Sequence, residues 1–543
     1  VFTDSNPSLI PILHPHHLFL IITKTTINRF LFLITVKILY FIDKTSLIKE
    51  WWESEDDITL ITRPRRFGKT LNMDMLKCFF SNQYRDQGQL FEGLNIWKEE
   101  KYQQLQGTYP VIYLSFADVK QTNYKDAVLK IKKIITDVYQ QYIELAGWEG
   151  LTEVQVRQFQ SVDPYMDDVT AQCALKDLSG YLYRYYEKKV IILLDEFDTP
   201  MQEAYLYGYW KEFTAFIRSL FNATFKTNPY LERAMMTGIT RVSKESVFSD
   251  LNNLNVVTTT STEYETCFGF SEEEVFQALE ERGMNNQKKL VKSWYDGFVF
   301  GNTHDIYNPW SITNFLDKKQ VRPYWADTSS NSMIDELIRK ASTDIKEKME
   351  ELLQGKEIVV NFDEQIVFEQ LDQDENAIWS LMLVSGYLKA EQIEYRGVLL
   401  EPWYHLRITN LETTAMFTTM FKGWFAKNQS NYNQFMKALL SDDIDAMNYY
   451  MNQIIMTTFS YFDVGQNEPE RFYHGFVLGL IADQTDIKVR NIKREESLED
   501  TVQTALTQIK EKCYDAELYD RGLKKEEIHH YGFAFEGKKV LIG

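Results

Sequence analysis

Residues 190–194, Val-Ile-Ile-Leu-Leu, run without interruption into Asp195 and Glu196. Five aliphatic residues with no polar alternation describe a strand buried on both faces, as in a parallel sheet with helices on each side. Two carboxylates at the end of such a strand sit where parallel α/β sheets place their ligands. Other segments agree. Residues 58–61 are a short apolar run, followed by Arg63-Pro64-Arg65-Arg66-Phe67-Gly68-Lys69-Thr70, and then Leu71, Met75, Leu76, Phe79 and Phe80 recur at helical spacing. Residues 110–116 and 234–239 read as further strands and 124–142 as an amphipathic helix. Asp198-Thr199-Pro200 reads as a helix start, with a capping residue ahead of an early proline. Strands alternating with helices predict an α/β domain with a parallel sheet.

At 543 residues the chain has material for several domains. Hydrophobic residues make up 44% and charged residues 25%, the balance of a globular protein. A formal net charge of −19 argues against coating nucleic acid through the overall field, so any nucleic-acid site must be local. The four cysteines, Cys78, Cys173, Cys267 and Cys513, form no CxxC pair, which favours a reducing compartment over a disulfide framework or a zinc site. The expected location is intracellular, cytoplasmic or nuclear. The apolar runs at 18–22 and 30–36 are interrupted by Lys24 and Arg29 and are too short to span a bilayer. The chain begins with Val1 and is read as a fragment or a mis-placed start; no function is assigned to residues 1–37, and His14, His16 and His17 are read as loop residues.

A phosphate-binding loop needs backbone N–H groups and a helix N-terminus aimed at anionic oxygens. It also needs a lysine for the β- and γ-phosphates and a hydroxyl for Mg²⁺. Gly68-Lys69-Thr70 supplies the last three positions of GxxxxGK[ST], but the first is Arg63 instead of glycine. Alone, that is a weak signal, and Asp195 and Glu196 alone merely end a strand. Together they complete a hydrolytic site: Thr70 and Asp195 on the metal side, and Glu196 as the base that polarises water. Arg66 and Arg241 are candidate phosphate contacts, because guanidinium suits bidentate pairing with phosphate; the alternative for each is a structural ion pair.

The run 62–70 resembles the phosphate loop of the AAA-ATPase-like family, in which the arginine-rich loop replaces the usual first glycine. The resemblance continues through Tyr40-Phe41-Ile42-Asp43-Lys44-Thr45, Leu194-Asp195-Glu196-Phe197-Asp198 and Thr237-Gly238-Ile239-Thr240-Arg241-Val242-Ser243. It also takes in Tyr295-Asp296-Gly297 and Tyr307-Asn308-Pro309-Trp310-Ser311. It implies an ATP-binding core of the AAA/STAND type with ATP and Mg²⁺ as cofactors, a helical, winged-helix-like lid, and an oligomer as the assembled form. The expected organisation is an ATPase core at 38–262, a helical lid at 263–345 and a helical linker region at 346–455.

Residues 456–543 resemble a PD-(D/E)XK nuclease domain, through residues 472–479, 497–501 and 531–540. Such nucleases hold metal with an Asp on one strand and a Glu/Asp-x-Lys on the next. Asp486-Ile487-Lys488 falls where that motif would lie, and Asp483 is too close to serve from a neighbouring strand. The expectation is an α/β restriction-endonuclease-like remnant whose Asp486 and Lys488 form a degenerate centre, with an open sheet edge. The resemblance alone brings nucleic acid in as a partner. The leading expectation is an ATPase coupled to this tail; the alternatives are a non-catalytic, nucleotide-switched interaction protein, or a decayed mobile-element or defence product.

Overall fold

The computed structural model describes residues 42–240, 248, 251, 253–328, 331–363, 374–424, 429–458, 497–513, 516–520, 522–536 and 539–543. Its centre is a five-stranded sheet: β1 (Ile58–Thr62), β2 (Val111–Ser115), β3 (Val190–Asp195), β4 (Leu231–Gly238) and β5 (Leu254–Val257). The order is β2-β3-β4-β1-β5 and every pairing is parallel. All residues of β1 and β3 are buried, which is why their sequences are nearly continuous aliphatic runs. The packed helices include α1 (Lys69–Phe80), α2 (Tyr124–Gln140), α3 (Asp168–Tyr186), α4 (Thr199–Leu206) and α5 (Trp210–Phe221). The strand that leads into the phosphate loop and the strand that ends in carboxylates are thus separated by one strand, β4, whose C-terminal end lies between them.

The lid contains α6 (Glu272–Glu281), α7 (Lys288–Tyr295) and α8 (Pro309–Lys318), with a small antiparallel sheet. That sheet is β6 (Phe270–Ser271), β7 (Phe298–Phe300) and β8 (Thr303–Tyr307), in the order β6-β8-β7. A capping box starts α6: Ser271 accepts from the Glu274 N–H, and the Glu274 carboxylate accepts from the Ser271 N–H. Val275, Leu279, Val291, Tyr295, Tyr307, Ile312 and Phe315 give the lid a core of its own. Lys44, from the Tyr40–Thr45 string, crosses to this domain and pairs with Glu274 at 2.7 Å.

The region 346–455, read as a helical linker, is not purely helical. Three strands, β9 (Ile358–Asn361), β10 (Leu388–Arg396) and β11 (Glu401–Ile408), form an antiparallel sheet in the order β10-β11-β9. Lys389, Glu391, Gln392 and Glu394 are good helix formers in isolation, and only the partner strand makes this stretch extended.

The tail helix Leu498–Glu511 and the hairpin β12 (Phe533–Glu536) and β13 (Lys539–Ile542) match the expected helix and strand pair. The outer edge of β13 is not open. Asn448 exchanges two hydrogen bonds with the Ile542 backbone, both at 2.8 Å, and Asn452 does the same with Val540 at 3.0 and 3.1 Å. Two asparagines one helical turn apart therefore satisfy this edge of the hairpin, while the edge expected to lie open beside Asp486 falls outside the described residues. No helix among the described residues is long and apolar enough to cross a membrane.

Candidate functional site

The C-terminal ends of β1, β3 and β4 converge on one place. From β1 the chain enters the loop 63–68, and Gly68 adopts a left-handed conformation (φ 82°) that turns it into α1. No side chain caps α1, so its first-turn N–H groups remain available to an anion. Arg65, Arg66 and Thr70 are exposed at this end. The loop thus fits a polyphosphate by the character of its free donors.

Arg63, at the position usually held by glycine, is fully buried and points away from the loop mouth. Its guanidinium donates to the carbonyls of Thr62 (3.0 Å), Thr258 (2.6 Å) and Glu263 (3.3 Å) and lies 4.6 Å from the Phe300 ring centre. Burial pulls its pKa down to about 10, so it stays charged. Its place in the motif is structural: it anchors the loop to the segment after β5 and to the lid. Arg66 has a left-handed backbone (φ 66°), and its guanidinium lies over Trp310 at 4.9 Å. The Arg65 carbonyl accepts from Trp325 Nε1 at 3.0 Å and Asn308 Nδ2 at 3.3 Å. Asn308 and Trp310, from the Tyr307–Ser311 string, therefore hold the phosphate loop from the lid side.

Lys69 is buried, and its ammonium donates to the carbonyls of Arg63 (2.8 Å) and Pro64 (2.9 Å). Burial lowers its pKa, against the pull of Glu196, Asp198 and Asp195. Thr70 donates its hydroxyl to Asp195 Oδ2 at 2.8 Å. Thr237 of β4 donates to Asp195 Oδ1 at 2.6 Å and also accepts from the Glu196 N–H at 3.3 Å. Burial drives the Asp195 pKa up to about 6, with the two hydroxyls pulling the other way and Glu196 adding to the rise. A buried carboxylate with hydroxyl neighbours offers the oxygen ligands that a hard divalent cation takes. Glu196 is partly exposed and has a left-handed backbone (φ 52°), a conformation that costs a residue with a side chain about 1–2 kcal/mol. Such strain persists only where neighbours over-determine it, and it concentrates at functional sites.

Lys69, Thr70, Asp195 and Glu196 are brought together as expected, with Gly68 as the hinge of the loop. Arg241, Asp486 and Lys488 lie outside the described residues. The role of Asp198 differs from the sequence expectation. It does begin α4, but its side chain makes no capping bond there. Instead Asp198 Oδ2 accepts from the backbone N–H groups of Ile239 (2.9 Å) and Thr240 (2.8 Å) and from the Thr240 hydroxyl (2.9 Å). Thr237 was passed over as a site residue; its only signal in the sequence was its place in the string 237–243.

A parallel α/β sheet with a lysine–threonine loop facing strand-end carboxylates is an arrangement whose donors and charges suit phosphate groups. The comparisons narrow it. Residues 25–248 match the model of the AAA-ATPase-like family, described as "Predicted AAA-ATPase". A protein of Azotobacter chroococcum mcd 1, described as an uncharacterized protein in the vnfD 5′ region, is 25% identical over 382 residues. That alignment takes in 69% of this chain and 65% of the relative, so the chain spans less than two thirds of the relative's length. Among solved structures, a signal transduction ATPase with numerous domains (STAND), with a tetratricopeptide repeat sensor, from Pyrococcus horikoshii is 12% identical. It aligns with 90% of this chain and 64% of its own, at a TM-score of 0.25, too low to carry an argument.

Proposed function

We propose that this chain binds Mg²⁺-ATP in the loop 63–70 and hydrolyses it. The observation that carries the reading is the Thr70–Asp195–Thr237 hydrogen-bonded row beside Lys69 and Glu196, built on the part of the chain that matches the AAA-ATPase-like model. Lys69 would exchange its two loop carbonyls for phosphate oxygens, Thr70 and Asp195 would hold Mg²⁺, and Arg66 would leave Trp310 for the phosphates. Mg²⁺ there supplies charge neutralisation at the β- and γ-phosphates. Glu196, at the open edge of the site, would take a proton from the attacking water. Arg241 is retained in this reading as a second phosphate contact.

The tail is read as nuclease-derived, with Asp486 and Lys488 as what remains of its centre, and nucleic acid and an oligomeric assembly enter through the family resemblance alone. The test of the core reading is calorimetric and enzymatic. The intact chain should bind ATP and release phosphate with Mg²⁺, and Lys69→Ala should lose binding. Equal ATP affinity in Lys69→Ala would remove the phosphate-loop assignment.

A further inference from the structure

Glu196 must be held in a backbone conformation that it would not choose alone, and the bonds that hold it come from β4 and from Thr199, whose N–H donates to the Glu196 carbonyl at 3.3 Å and whose hydroxyl donates to the Glu196 carboxylate at 3.1 Å. The Glu196 N–H donates to the Thr237 hydroxyl at 3.3 Å, and the next amide, the Phe197 N–H, donates to the Thr237 carbonyl at 3.0 Å. On its C-terminal side, the anchor is Asp198. Asp198 is 1% exposed, and its Oδ2 gathers four donors: the Ile239 and Thr240 amides, the Thr240 hydroxyl and Gln202 Nε2 at 3.1 Å. Gln202 also accepts from Arg65 of the phosphate loop at 3.4 Å. A carboxylate placed to receive two consecutive backbone amides fixes the direction in which the chain leaves β4, as an anion does in a backbone nest.

The fit leaves no slack. A Cβ on Gly238 would come within 2.7 Å of the Phe197 ring and 2.8 Å of Asp198 Oδ1. The Gly238 carbonyl accepts from the Arg63 N–H at 3.2 Å on the opposite side, so the same residue also touches the start of the phosphate loop. The β4 exit is thus wedged between the phosphate loop and the turn 196–198. Thr237 closes that wedge on one side of Glu196 and Asp198 closes it on the other.

We propose that Asp198 is the positioning residue for Glu196: it ties the turn 196–198 to the exit of β4 and so holds the glutamate in its left-handed conformation at the open edge of the site. Asp198 acts on Glu196 through this turn. The inference rests on the reading of Glu196 as the hydrolytic base. It implies a separation that a purely structural residue would not give. In this reading ATP meets the loop and α1, which Asp198 reaches only through Gln202 and its charge near Lys69, so affinity should change far less than turnover. Proton transfer depends on where the Glu196 carboxylate sits, so turnover should not.

The experiment compares Asp198→Asn and Gly238→Ala with the unaltered full chain for KM, kcat, ATP affinity by calorimetry and melting temperature. Asparagine keeps the size but weakens acceptance from the two amides; alanine at 238 pushes on Asp198 and Phe197 from the other side. The expected result, in variants that remain folded at the assay temperature, is a kcat lower by roughly 10- to 100-fold, the scale for a misplacement of about an ångström, with KM and ATP affinity changed far less. An unchanged kcat in either folded variant overturns the inference, and so does a fall in ATP affinity as large as the fall in kcat, because that is a structural role. If Asp198→Asn does not fold, Gly238→Ala carries the same test. An unaltered chain that binds ATP without turning it over overturns the hydrolytic reading and this inference with it, an outcome distinct from normal turnover in the variants.

Discussion

Two sets of three carboxylates in this molecule have been settled in opposite ways. At the end of β3 stand Asp195, Glu196 and Asp198. In the lid stand Glu272, Asp296 and Asp305, whose oxygens lie within 4.8 Å of one another. The lid group has a cation of its own: Lys292 bonds Glu272 and lies 3.4 Å from Asp305 and 3.6 Å from Asp296. Tyr307 adds a hydroxyl to Glu272 at 3.2 Å. In the β3 group, the nearby lysine gives its hydrogen bonds to two loop carbonyls, and the carboxylates are met by hydroxyls and amides. Carboxylates neutralised by their own chain hold a domain together; those left short of positive charge can receive a cation from outside. Counting acidic residues would not distinguish the two.

The largest expected effect tests this contrast with one chemical change made twice. Glu196→Gln should retain ATP and lose turnover by about 10²- to 10⁴-fold, the usual cost of removing an acid–base group. Glu272→Gln, the same change in the lid group, should leave kcat as it is. Steady-state phosphate release on both variants checks it, and equal losses would mean that the lid group takes part in the chemistry.

A smaller effect concerns how the lid reaches the phosphate site at all. Its contact runs through the Arg65 carbonyl, held by Trp325 and Asn308, and not through the acidic group. Trp325→Phe removes one donor and leaves Asn308 in place. A hydrogen bond of net worth about 0.5–1.5 kcal/mol corresponds to an ATP affinity lower by about 2- to 10-fold. Calorimetry on folded Trp325→Phe reads it directly; unchanged affinity would show that the loop keeps its shape without the lid.

What could be read in advance followed from how local the cause was. The strand at 190–195, the loop 63–70 and the helix after it are written in consecutive residues, and Lys69, Thr70, Asp195 and Glu196 were found from those strings. β5 was missed, because Leu254-Asn255-Val256-Val257 is four residues long, sits at the sheet edge and is half exposed, so it carries no strong pattern. β10 was taken for helix because pairing with β11, not propensity, makes it a strand. Asp198 looked like a helix cap because Asp-Thr-Pro is a helix-start string; its true partners are 41 and 42 residues away at the exit of β4. The Arg65 grip was out of reach for the same reason, since Asn308 and Trp325 approach from 243 and 260 residues along the chain.

The smallest expected effect lies inside the lid group and depends on pH. Burial, reinforced by the neighbouring Asp305 carboxylate, raises the Asp296 pKa from 3.8 to about 7. A carboxyl group with a raised folded-state pKa holds its proton more tightly in the folded protein than in the unfolded chain. Its contribution to stability is therefore complete below the unfolded value, near pH 4, and is lost as pH rises through about 7. At pH 8 the unaltered lid carries Asp296 as a half-buried charge beside two other carboxylates that already share Lys292. Asp296→Asn should relieve that charge while keeping a side-chain donor near Asp305. Because the group is only partly buried, solvent screening holds the gain to about 1 kcal/mol, which corresponds to a melting temperature higher by a few degrees. At pH 5 folded wild-type Asp296 is still protonated, so the variant's advantage should be smaller there than at pH 8. Thermal melts at pH 5 and pH 8 decide the matter. A variant less stable than the unaltered chain at pH 8 would mean that Lys292 needs all three charges, and that the lid group is bound by attraction more strongly than it is strained by repulsion.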